Sequence, residues 1–97
     1  MKDYDIDKNK LLVRLHRVQG QLNAINTMIE KDAECKDVLM QLSAATAALH
    51  SLAVIVAREH VNKEIHKSVK IGTKDAANSA MEDISGIIDR LLRYEKA

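Results

Sequence analysis

Apolar residues recur along this chain at alternating intervals of four and three. They fall at Leu11, Leu15, Val18, Leu22, Ile25 and Ile29, then at Val38, Leu42, Ala45, Leu49, Leu52 and Val56. Ala77, Met81, Ile84, Ile88 and Leu91 repeat the rhythm. An α-helix turns once every 3.6 residues, so each set forms a stripe on one side of a helix and leaves polar residues elsewhere. The pattern predicts three helices, at about residues 7–30, 33–68 and 74–94. With short breaks between them, they make an antiparallel hairpin plus a third helix, in one all-α domain covering residues 1–97.

The breaks carry their own signals. Asp7 is a candidate cap for the first helix, and Asp32 for the second, because a side-chain carboxylate can accept from first-turn amides. Gly72 and Thr73 end the second helix and begin the third, with Asp75 favourably placed against the positive end of the new helix. Gly20 and Gly86 fall inside helical patterns at a cost of about 1 kcal/mol each against Ala, and are expected to admit a close helix approach. The second helix is too long for its two partners to cover. Its small-residue run Ser43-Ala44-Ala45-Thr46-Ala47-Ala48 suits packing against another copy, so at least a dimer is expected.

Composition narrows the picture. The chain has 97 residues, no Phe, no Trp, no Pro and two Tyr, so the core is aliphatic and nothing breaks a long helix. Fifteen Lys and Arg against 14 Asp and Glu give a formal net charge of +1. Any nucleic-acid surface must therefore come from local charge distribution. One cysteine cannot close an intrachain disulfide, which fits a reducing compartment. The start, MKDYDIDKNK, has no apolar core of a secretory signal. The apolar stretch at residues 44–57, interrupted by Thr46, His50 and Ser51, is expected to be too short for a bilayer. A cytoplasmic protein without a membrane partner is the expectation.

Few residues can carry chemistry. Cys35 would lie in the first turn of the second helix, where free backbone amides can stabilise a thiolate, although Glu34 beside it works against this. It reads either as a reactive or ligating thiol or as a small apolar residue. His60 and Glu64 stand at i and i+4, so they share a helix face and can converge on one ion. An exposed pair on a solvated face fits the same pattern. On one helix, Cys35 and His60 are roughly 37 Å apart, so a site using both must draw them from two chains. His16, His50 and His66 show no comparable pattern.

A basic stripe is the other candidate. Lys10, Arg14, Arg17 and Gln21 follow i, i+4, i+7 and i+11 beside the seam of the first helix. Such a stripe can contact phosphates, and Arg and Gln can reach base edges, although an ordinary solvated face also fits. No Gly-rich phosphate loop, Ser–His–Asp set or buried carboxylate pair supports an enzyme.

Taken together, Arg14-Leu15-x-Arg17-Val18-x-Gly20-Gln21, Met28-Ile29-Glu30, Cys35, Gln41, Ala44, Ala47-Ala48-Leu49 and His60 resemble the family of copper-sensing operon repressors and nickel–cobalt repressors, over about residues 10–92. The resemblance implies an all-α homodimer with long second helices packed antiparallel, two dimers forming a homotetramer. It also implies a bacterial transcriptional repressor that binds double-stranded operator DNA and leaves it when an inducer binds. The family's sensing site falls on Cys35 of one protomer with His60 and Glu64 of its neighbour. Its DNA contacts fall on Arg14 and Arg17, with Lys10 added.

Departures from the family pattern bear on the inducer. Copper sensors carry a second Cys at the position of Glu64, and copper(I) prefers soft thiolates. Nickel–cobalt members carry His there and another His near the N-terminus, where this chain has Asp3. Formaldehyde-responsive members carry Cys, His and Glu at these three positions, and Asp32-Ala33-Glu34-Cys35 is similar to their sequence. Those members use an N-terminal proline amine, whereas this chain begins Met1-Lys2, leaving Lys2 or the α-amino group as substitutes. The resemblance thus implies formaldehyde or a metal ion as inducer. No cofactor is required, although zinc or cobalt suits the site. A repressor that ignores these inducers, or a helical metal-buffering or interaction module without DNA binding, are the alternatives.

Overall fold

The computed structural model describes residues 8–96, with side chains described through Arg93. Three helices make up this span: α1 (Lys8–Glu30), α2 (Cys35–Ile71) and α3 (Lys74–Lys96). No strand occurs among the described residues. Asp7, the candidate cap of the first helix, and Lys2, Asp3 and the terminal amine, which the family resemblance bears on, lie outside them.

Two compact units divide the chain, one running through Leu52 and the other starting at Ala53, and α2 contributes to both. In the first unit, Leu11, Val18 and Ile25 of α1 are buried together with Ala45 of α2. Seven-residue spacing stacks the three α1 side chains along one line of the helix. In the second unit, Ala80 of α3 is buried, with Ile84 and Leu91 half-buried along the same helix.

Leu15, Val38, Leu52 and Val56 are half-buried as well, and the remaining seam positions are exposed. Leu22 is 47% exposed, Ile29 60% and Leu49 44%, and Leu42, Met81 and Ile88 are exposed as well. The four–three pattern is therefore wider than the described residues of one chain bury, and part of each stripe stays exposed.

The connection from α1 to α2 corrects the role expected of Asp32. Its backbone takes a φ of 58°. Its N–H donates to Ile29 O at 3.2 Å, and Ala33 N–H donates to Met28 O at 2.9 Å. These paired bonds satisfy the last carbonyls of α1, so Asp32 terminates α1. At the start of α2, the Glu34 carbonyl accepts from Asp37 N at 3.0 Å and Val38 N at 3.1 Å. Aspartate tolerates the left-handed region better than most residues, which reconciles the two readings of the same position.

At the other junction the expected residues act as expected. Gly72 has φ 73°, and its N–H donates to Ser68 O at 2.9 Å, closing α2. Thr73 Oγ1 then accepts from Ala76 N at 3.1 Å and caps α3. Gly20 and Gly86 behave otherwise. Among the described residues a Cβ at either would meet nothing within 4 Å, so neither mediates a close approach there.

The apolarity of α2 also exceeds the expectation. One 18-residue window reaches a mean hydropathy of 1.7, enough by length and composition to cross a bilayer. Thr46, His50 and Ser51 interrupt the apolar run, and residues 38–57 contain no Asp, Glu, Lys or Arg. The same composition suits a helix whose sides meet other helices.

Candidate functional site

The sequence-derived residues fall into three places. Cys35 is the first residue of α2 and is exposed. It belongs to the first compact unit, and one unbroken helix carries both it and His60.

His60 and Glu64 lie in the second unit, one turn apart on α2. There α3 brings Asp83 to them. His60 Nε2 donates to Asp83 Oδ2 across 2.6 Å, the carboxylate being able only to accept. Both side chains are close to half exposed, at 45% and 46%. Glu64 is half-buried beside them. One donor atom from each of His60, Glu64 and Asp83 lies within 4.8 Å of the other two. The set contains one imidazole nitrogen and two carboxylates, a combination suited to borderline and hard divalent cations and unsuited to copper(I). Cys35 takes no part in this cluster.

Sequence reading missed Asp83. A signal existed, because Asp83 immediately precedes the seam residue Ile84 and so flanks the face that α3 turns inward. Which acid on α3 reaches His60 depends on helix register, and spacing within one helix does not supply it.

The basic residues form the third place. Lys10, Arg14 and Arg17 line one open depression on α1, with Asn9 and Val13 between them. All three cations project along one side because positions 10, 14 and 17 are four and three apart. Among the described residues, no acidic side chain lines this depression. Gln21 is half-buried one turn further along α1 and is not among the lining residues. His16 and His66 are exposed, and His50 is half-buried.

Comparison with known proteins adds a second, independent line. Residues 7–91 match the family described as metal-sensitive transcriptional repressors. A copper-sensing transcriptional repressor of Mycobacterium tuberculosis, RicR, is 39% identical over 90 residues, spanning 93% of each chain. The copper-sensing transcriptional repressor CsoR of Bacillus subtilis is 32% identical over 78 residues, spanning 80% of this chain and 77% of the relative. Among solved structures, the nickel-responsive transcriptional regulator InrS superposes with a TM-score of 0.76 at 24% identity, over 89% of this chain and 93% of the other. That last likeness establishes the all-α fold.

Proposed function

This chain belongs to the metal-sensitive transcriptional repressor family, and on that premise we propose a DNA-binding repressor switched by an inducer at Cys35, His60 and Glu64. It is not an enzyme. The observation that carries the DNA reading is the convergence of Lys10, Arg14 and Arg17 on one depression of α1. Each Lys or Arg placed on a phosphate releases a condensed counterion, and doubling the patch by symmetry multiplies the effect. Gln21, next along α1, is placed to extend the contact.

Assembly completes the sensor. Leu22, Ile29, Leu42 and Leu49 are exposed apolar members of the helical seams, which supports a homodimer with long α2 helices packed together, and a homotetramer of two such dimers. Within that assembly, Cys35 of one protomer meets His60 and Glu64 of its partner, since one helix cannot bring them together. A cytoplasmic location follows from action on operator DNA.

Two inducer classes have support. A metal ion such as Zn²⁺ or Co²⁺ suits the nitrogen and oxygen donors around His60. Formaldehyde is favoured by the exposed thiol of Cys35. The thiol adds across the carbonyl to give a hydroxymethyl thioether, and condensation with an amine then forms an S–CH₂–N bridge with loss of water. Lys2 or the terminal amine would supply that nitrogen. In either case release requires an inducer that prefers the low-affinity quaternary state.

A mobility shift on the DNA upstream of the protein's own gene tests the reading. Wild-type protein is expected to retard that DNA, and Arg14→Ala with Arg17→Ala to lose most of the effect. Failure of the wild type to bind even at low salt would overturn it.

A further inference from the structure

The sequence pairs His60 and Glu64 with a cysteine from another chain, yet α3 offers them a third partner in the same protomer. We propose that His60, Glu64 and Asp83 form a divalent-cation site closed within one protomer, with Asp83 as a direct ligand and Cys35 dispensable.

The geometry is close to what a cation needs. Bonds from zinc-like ions to nitrogen and oxygen run about 2.0–2.2 Å, so donors around one ion sit roughly 3–3.5 Å apart. The three donors here already lie within 4.8 Å of one another. The His60–Asp83 pair, at 2.6 Å, opens slightly as a cation replaces the shared proton. Glu64 closes in by side-chain rotation, because it sits one turn from His60 on the same face. Partial exposure of His60 and Asp83 leaves a path for entry and room for water on the remaining positions. Two carboxyl groups and one imidazole converge there, and a divalent ion can be shared by all three. The donor set selects Zn²⁺, Co²⁺ or Mn²⁺ and disfavours copper(I).

All three residues belong to the same compact unit, so the site needs no second chain. Its consequence is that cation binding and thiol chemistry become separable events that compete for His60 and Glu64. The inference rests on the repressor reading for the sensory role of those two residues, whereas cation binding itself is measured without DNA.

A rival geometry keeps Asp83 behind His60 as an outer hydrogen-bond partner, with the cation on Nδ1. Optical titration of the full-length protein with Co²⁺ separates the two. Wild type and Cys35→Ser are expected to bind Co²⁺ alike, with ligand-field bands and no thiolate-to-cobalt charge transfer. Asp83→Ala is expected to weaken binding by about tenfold or more. The decisive variant is Asp83→Cys in the Cys35→Ser background, which gains the charge-transfer band if position 83 touches the ion. Bound Co²⁺ without that band overturns the proposal, as does a wild-type band that Cys35→Ser abolishes. Absence of Co²⁺ and Zn²⁺ binding to the wild type also overturns it, whether or not the protein binds DNA. Circular dichroism establishes that each variant keeps its helices.

Discussion

His60 of α2 donates to Asp83 of α3 across 2.6 Å, and this hydrogen bond ties the candidate sensor residues to the third helix. Any ligand that takes Nε2 of His60 must first break this hydrogen bond. The contact is partly exposed, so water and salt weaken it. Asp83→Ala is therefore expected to lower stability by less than about 1 kcal/mol, as for other exposed polar side-chain pairs. Urea unfolding of both proteins at matched concentration checks this. A loss of several kcal/mol would mean that the pair is a structural clamp instead of a site held ready.

The helix junctions give a second expectation. Gly72 occupies the left-handed region with φ 73°, where any Cβ is strained. Gly72→Ala should destabilise the protein by about 1 kcal/mol, and Asp32→Gly, at φ 58°, should stabilise it by a few tenths up to about 1 kcal/mol. Thermal melts of the two variants should thus move in opposite directions.

These junctions also show what the sequence could tell. Gly72 followed by Thr73 has one sensible reading, a stop and a start, and the structure uses both residues in that way. Asp32 has two, because aspartate both caps a helix start and tolerates positive φ. Choosing between them requires knowing where α1 stops. The apolar rhythm located all three helices, yet it could not say that Leu11, Val18 and Ile25 are buried while Leu22 and Ile29 stay exposed within the chain. Asp83 was missed for a related reason. Its partnership with His60 spans 23 positions and two helices, so it depends on packing register instead of local spacing.

The exposed half of the seams leads to a third prediction. Leu49 is 44% exposed on the chain's own fold, so a charge there should leave the protomer folded. In a packed interface the same charge would be buried without a partner, at a cost of several kcal/mol. Leu49→Glu should accordingly shift the protein to smaller species in sedimentation velocity while circular dichroism stays helical. An unchanged sedimentation profile would place the interface elsewhere.

The basic depression predicts a salt signature. Removing one phosphate contact reduces the slope of log affinity against log salt by about 0.9 per contact. Lys10→Ala, Arg14→Ala and Arg17→Ala should each flatten the slope and weaken binding to operator and to unrelated DNA. Gln21→Ala, lying outside the depression, should change the slope little. Fluorescence anisotropy at several salt concentrations reads both quantities.

Operator affinity measured for wild type and His60→Ala, each with and without added Zn²⁺, Co²⁺ or formaldehyde, tests the central claim most directly. Wild-type protein should bind the DNA upstream of its own gene and release it when one of these inducers is added. His60→Ala should bind equally well and stay bound. A wild type that ignores the DNA, or a His60→Ala variant released as readily as the wild type, would contradict the account.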